Sequence, residues 1–241
     1  GALGFSPAVH ARQVHEARIL IHGRQEKGLL VGPDADGHAT ASPGVLMAVT
    51  VADCVPVYLV DPKRRAVALV HAGWRGAAAG ILEEAVGHLG RAFGSDPGSL
   101  SLHLGPSICG ECYEVGPEVH RALGLPDPGG PELLDLREAL TQRARRVGVR
   151  PEEVTRSTFC TRCGDSPFFS HRGGDVERQV GFLGIRPTPG AGLCERCVWA
   201  RTVQNRRGSR FLLCRRSEED ASFPRYPRLP VLECRGFEKV G

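Results

Sequence analysis

The sequence contains no apolar run of the length needed to cross a bilayer, and its start lacks the basic-then-apolar pattern of a secretory signal. These two absences point to a cytoplasmic protein, whose cysteines serve as thiols or metal ligands in preference to disulfides. Nine cysteines is an odd number, so at least one has no partner in any pairing scheme. Nine histidines include no His-x-His pair, which weighs against a multinuclear copper centre, where such pairs gather the ions. Lysine is nearly missing, with three residues among 31 cations and arginine supplying the rest. That bias fits genome composition better than phosphate recognition, and scattered cations default to a solvated face.

What remains is a globular composition. With 241 residues, 41% apolar and 24% charged, the chain is long enough for one sizeable domain and an appendage. The net charge of +4 is unevenly placed. Residues 186–241 carry 12 Lys and Arg against 6 Asp and Glu, whereas residues 1–185 carry 19 against 21. The body is close to neutral and the tail is basic.

The chain is organised around Thr50 to Gly76. Two short apolar runs, Val55–Val60 and Ala66–Val70, flank Asp61-Pro62-Lys63-Arg64-Arg65, which reads as a turn, so a hairpin is expected. If Asp61 faces Ala66, Pro56 faces His71. Cys54 then lies on the same face, diagonal to His71 and within side-chain reach. A thiolate beside an imidazole can bind a transition metal or act as a nucleophile pair. A buried cysteine next to a hydrogen-bonded histidine is the plain alternative.

Further strands are expected at Arg18–His22, Val45–Val51, Leu100–Leu104 and Gln179–Ile185. Helical spacing marks Ala77–Phe93, between Gly76 and Gly94, and Leu133–Val147. Hairpin-spaced strands mixed with amphipathic helices give an α+β layered domain. Arg75, near a helix start, is a candidate anion contact or the partner of a carboxylate. Tyr113 is a candidate for stacking on a flat ligand or for plain packing.

ADCVPVYLVD followed by HAGWRG, LGPSICGECYEVG (Leu104–Gly116), and CTRCGDSPFFSHRGGDVERQVGFLGI (Cys160–Ile185) together resemble the YfiH/YlmD family, known also as laccase-domain or polyphenol oxidase proteins. The resemblance spans Arg12 to Ile185 and implies a layered α/β/β/α-type domain with mixed sheets over residues 1–185. It also implies one zinc held by His15 of the Gln13-Val14-His15 block, by Cys54 and by His71, which would be the catalytic residues. Phosphorolysis of adenosine, inosine and methylthioadenosine, and deamination of adenosine, are the implied activities, with a link to peptidoglycan editing. Purine nucleosides and phosphate are the implied ligands; Arg178, in Glu177-Arg178 where the family has Gly-Arg, is a candidate anion contact, beside Arg75 and Tyr113 as candidate substrate contacts. The family treats the Cys109-x-x-Cys112 loop as pocket wall and not as a ligand set. An opening HGFSTR-like segment is expected to be missing, and His171 stands where the family has Tyr.

The tail falls outside this pattern. Residues 186–192 read as a linker, and 193–241 as a small module with Cys194, Cys197, Cys214 and Cys234. About fifty residues rarely bury enough apolar area to fold alone, so a structural zinc is expected, with free thiols or an iron–sulfur cluster as alternatives. Trp199, Phe211, Phe223 and Tyr226 read as its small core. Its basic charge leaves nucleic-acid contact open as a further role, and no membrane contact is expected.

Four readings of function therefore compete. They are a zinc-dependent purine nucleoside enzyme, a copper-dependent polyphenol oxidase, a Cys–His hydrolase of peptidoglycan precursors, and an inactive binding module.

Overall fold

The computed structural model describes residue 5 and residues 8–23, 28–186, 190–206 and 208–240. Pro187-Thr188-Pro189 of the expected linker lie outside the described residues. The chain divides into two units, Gly1–Arg186 and Pro187–Gly241. No described helix is long and apolar enough to cross a membrane.

The first unit runs β1 (Ala8–Ala11), β2 (Ile19–His22), β3 (Leu29–Gly32), β4 (Gly37–Thr40), β5 (Leu46–Val51), β6 (Val55–Asp61), β7 (Ala66–Ala72), α1 (Trp74–Ala78), α2 (Ile81–Phe93), β8 (Ser101–Leu104), β9 (Glu114–Val115), α3 (Pro117–Ala122), β10 (Glu132–Leu133), α4 (Leu136–Arg146), β11 (Val154–Arg156) and β12 (Gln179–Gly184). It is an α+β fold built on two mixed sheets. One has the order β11-β8-β6-β7-β4-β2 and the other β12-β5-β1-β3, while β9 and β10 form a separate pair.

The hairpin β6–β7 forms the centre of the larger sheet. Its register pairs Asp61 with Ala66 and Pro56 with His71, as the turn sequence implied. Asp61 fixes that turn by accepting the amides of Lys63 and Arg64 at 2.9 and 3.0 Å. Every residue of β7 is buried, because both faces of the strand are covered. One face packs with Met47, Val49 and Val51 of the smaller sheet against Val67 and Leu69. The other packs Val57, Leu59, Ala68 and Val70 against Ile81, Leu82 and Leu89 of α2 and Leu140 of α4.

The expected helix over Ala77–Phe93 is two helices. Gly80 adopts φ 87°, a left-handed conformation that glycine tolerates, and there the chain turns from α1 into α2. Gly94, at φ 69°, ends α2, with its amide and that of Ser95 returning to Gly90 and Leu89 carbonyls. The second expected helix begins three residues later than its apolar spacing suggested. Leu133 pairs in β10 with Glu114, and Asp135 caps α4 by accepting the Glu138 amide at 3.1 Å.

The second unit contains the hairpin β13 (Ala200–Gln204) and β14 (Arg210–Cys214). Trp199, Phe211, Phe223 and Tyr226 do not close into the expected core, since only Trp199 and Phe223 are half-buried. Phe211 and Tyr226 are 47% and 56% exposed, and Leu213 is the buried apolar residue among those described. Arginines cover the rings instead: Arg216 lies 5.4 Å from the Trp199 ring centre and 5.3 Å from that of Phe223.

Candidate metal centre and its pocket

Cys54 precedes the first residue of β6, and His71 lies on β7 beside it. His15 arrives from the loop between β1 and β2. The Cys54 thiol and one ring nitrogen from each histidine all lie within 4.8 Å of one another. The two imidazoles meet edge to face, with centres 4.8 Å apart. Gly73 forms the floor. A side chain there would place its Cβ 2.9 Å from the Cys54 sulfur and 3.1 Å from the His15 ring, so only glycine leaves the space between the three donors free. One thiolate and two neutral imidazoles suit zinc or copper, and the donor set leaves a corner of a tetrahedron open.

Asp36 organises this group. Its carboxylate accepts Nδ1–H of His71 at 2.8 Å, which leaves Nε2 of that ring to face the cluster. The same carboxylate accepts the amides of Val14, His15 and Glu16 at 3.0, 3.0 and 2.9 Å. Converging three successive amides on one carboxylate requires the left-handed turn that His15 makes at φ 62°. Gln13 holds the other side of the loop, exchanging hydrogen bonds with the backbone of Thr50 at 2.8 and 2.7 Å. Burial pushes the Asp36 carboxyl up, but the bonds from His71 and the three amides together hold it below the usual carboxylate range. For His71 burial favours the neutral ring, yet Asp36 and Cys54 outweigh it and raise the pKa to about 9. Burial likewise opposes a charged Cys54, and hydrogen bonds from His15 and His71 bring its thiol down to about 7. The two shifts share a cause, the thiol–imidazole hydrogen bonds inside the group, and a cation held there would take the place of those protons.

The cluster opens into a pocket of about 310 Å³. Arg75 and Tyr113 line it, as the sequence suggested, together with Ile108, His171 and Arg172. Arg178 does not. Its guanidinium turns back onto the carbonyls of Asp175, Val176 and Glu177, capping its own loop. The second cation at the pocket, beside Arg75, is Arg172, 5.1 Å over the Tyr113 ring and bonded to the Glu114 carbonyl at 2.9 Å. Burial, and secondarily the nearby Cys54, pushes the Tyr113 phenol up to about 12, so it remains neutral. His171 lines the pocket without joining the three-donor group.

Asp53, overlooked in the sequence, ties the walls together. It is buried at φ 78° and accepts the Thr161 hydroxyl at 2.6 Å and the Arg172 amide at 2.7 Å. Its carbonyl accepts the amide of Ile108 at 3.1 Å.

A second compact group of donors includes the Cys109–Cys112 loop, which the resemblance treats as pocket wall. Cys109, Cys112, Cys160 and Cys163 have all four sulfurs within 4.8 Å of one another. The repeated C-x-x-C spacing was the signal available for it. Cys194, Cys197, Cys214 and Cys234 are not gathered to that closeness. They do share a neighbourhood, since burial and then the charges of the other three raise the Cys194 pKa.

Residues 1–186 match the family described as multi-copper polyphenol oxidoreductase laccase. The chain is 34% identical over 197 residues to purine nucleoside phosphorylase YlmD of Geobacillus stearothermophilus, covering 74% of this chain and 72% of that protein. It is 31% identical over 194 residues to adenosine deaminase RL5 from an unknown prokaryotic organism, covering 73% and 74%. The crystal structure of YlmD from Geobacillus stearothermophilus superposes with a TM-score of 0.71 at 33% identity, over 77% of this chain and 76% of that one.

Proposed function

The chain belongs to the multi-copper polyphenol oxidoreductase laccase family, the YfiH/YlmD proteins, and from that membership we propose that it is a zinc-dependent enzyme of purine nucleosides. The reactions are phosphorolysis of adenosine, inosine or methylthioadenosine and deamination of adenosine, in line with the names its relatives carry. One observation carries the reading. Three donors of zinc type converge within 4.8 Å, and two of them, His15 and Cys54, line a pocket of about 310 Å³. That volume lies at the lower end of the range of small-molecule sites, about 300–1,000 Å³.

Bound by His15, Cys54 and His71, zinc would supply Lewis-acid chemistry at the inner end of the pocket. The rest falls to the chain's own side chains. Asp36 keeps the Nδ1 proton on His71 and so fixes which nitrogen faces the cluster. Tyr113, neutral and braced by Arg172, offers a flat face to a purine base. Arg75 and Arg172 bring two guanidinium groups to the same pocket, where an attacking phosphate needs its charge matched. Ile108 and Trp74 add apolar surface that excludes water from the base.

Copper oxidation of phenols is the weaker reading. Among the described residues the groups of three or more close donors are this triad and the four cysteines, which leaves no histidine-rich centre for further copper ions. A metal-free Cys54–His71 hydrolase and an inactive module are both set apart from the nucleoside enzyme by one assay. Full-length protein of measured zinc content is given adenosine or inosine with and without phosphate. Phosphate-dependent release of free base, or phosphate-independent conversion of adenosine to inosine, is expected. Zinc-replete protein that forms neither product overturns the proposal, and blue absorbance on copper loading would favour the oxidase.

A further inference from the structure

We propose that Cys109, Cys112, Cys160 and Cys163 form a second metal site, a tetrathiolate site for one zinc ion that clamps the two loops walling the pocket. The topology brings the loops together. β8 and β11 are parallel neighbours at the edge of the larger sheet, so the loops leaving their C-terminal ends start side by side. Ser107 and Cys160 continue that pairing as an isolated parallel bridge, and the Thr161 amide donates to the Ser107 carbonyl at 3.1 Å. Each loop then contributes one C-x-x-C turn, the spacing that structural zinc sites use for paired ligands.

The local geometry is that of a metal knuckle. All nine cysteines of the chain are free. Cys109 and Cys163, from different loops, have their sulfurs 3.9 Å apart. Four sulfurs about 2.3 Å from a tetrahedral zinc stand roughly 3.8 Å from one another, so a single ion fits between them with little movement. An iron–sulfur cluster, with several irons and sulfides inside the thiolates, needs a wider cage than the 4.8 Å limit allows. Cys160 accepts three amides, from Cys109 at 3.3 Å, Arg162 at 3.3 Å and Cys163 at 3.4 Å. Three N–H donors aimed at one sulfur compensate a thiolate, as in a ligated cysteine. The Arg162 guanidinium crosses to the Cys112 carbonyl at 3.0 Å and ties the two turns further.

The placement assigns the site its role. Cys109 adjoins Ile108, Cys112 adjoins Tyr113, and Cys160 adjoins Thr161. Ile108 and Tyr113 line the pocket, and Thr161 holds Asp53, which in turn holds Arg172. One ion would therefore fix both walls at once.

Two experiments on the full-length protein test the site. In the first, zinc is counted by mass spectrometry in the unaltered protein, in Cys109→Ser/Cys163→Ser, and in Cys54→Ser/His71→Ala. The first pair is expected to lose one zinc per chain and the second pair a different one. Equal zinc in the unaltered protein and Cys109→Ser/Cys163→Ser overturns the proposal. The second needs no variant and decides the matter if the cysteine pair fails to fold. Zinc-replete protein is alkylated with N-ethylmaleimide before and after chelation, and each cysteine is mapped. All four are expected to resist while zinc is bound, including the exposed Cys163, and to be labelled together once it is removed. Labelling of Cys163 in the zinc-replete protein, or recovery of Cys109–Cys112 as a disulfide, overturns the site. Neither readout uses nucleoside turnover, so this site and the proposed activity stand or fall separately.

Discussion

Asp36 shows how much of the candidate centre depends on a residue that ligates nothing. Its carboxylate is fully buried and accepts from one ring and three amides, so it sets the orientation of His71 and the backbone course of His15 together. Asp36→Asn keeps the shape and removes the charge, and zinc affinity is expected to fall about 10–100-fold. Competition with a chromogenic chelator at pH 7.5 measures it, and a change under about twofold would reduce Asp36 to a structural acceptor. Asp36→Ala leaves three amides without their acceptor and is expected to cost roughly 3 kcal/mol or more in denaturant unfolding. His15, Cys54 and His71 were legible because each belongs to a distinctive local block. Asp36 and Asp53 were not, because a carboxylate's partners are set by distant loops meeting in space. Arg172 was hidden for the same reason. Arg178 occupied the expected place in the pattern, but three carbonyls of its own loop claim its guanidinium.

At the scale of elements, β2 and β4 carry a titration built into the larger sheet. His38 on β4 is fully buried, with Nδ1 2.9 Å from Nε2 of His22 on β2 and its own Nε2 unpartnered. Burial first, then the neighbouring His22 and His10, bring its pKa down to about 3. A free histidine protonates near 6.5. Between those values the unfolded chain binds a proton that the folded chain refuses, so stability falls as pH drops from about 6.5 toward 3. The loss from this group is on the order of a few kcal/mol at the acid end. His38→Leu also removes an unpartnered buried nitrogen, and is expected to be near neutral at pH 7. Urea unfolding between pH 7 and 5 checks the sign, since the gap between parent and variant should narrow or reverse in favour of the variant on acidification. A constant gap would mean that His38 does not titrate on unfolding. Sheet elements were the readable ones. The β6–β7 register followed from a turn whose Asp61 caps its own backbone, whereas the break between α1 and α2 rests on a left-handed Gly80 inside an unbroken apolar stripe.

For the whole molecule, the two units differ in what holds them together. The first has apolar clusters on both faces of its central hairpin and retains a core whatever its metals do. The second has Leu213 as its buried apolar residue among those described, so hydrophobic burial contributes little to its order. The composition of residues 193–241 pointed to that deficit, and its four cysteines are half-buried around Cys194 without reaching ligand distance. A zinc ion there would draw the four thiols inward, and its binding free energy would become folding free energy for the unit. Chelation should therefore expose residues 190–240 to trypsin, which has many arginines to cut there, while the strands and helices of the first unit, outside its cysteine-bearing loops, stay protected by their own core. Zinc should restore the protection, and Cys194→Ser/Cys197→Ser should be sensitive with zinc present. Proteolysis mapped by mass spectrometry reads all three states. A tail equally resistant in each of them must derive its order from arginine–aromatic stacking and its hairpin, with no zinc holding it.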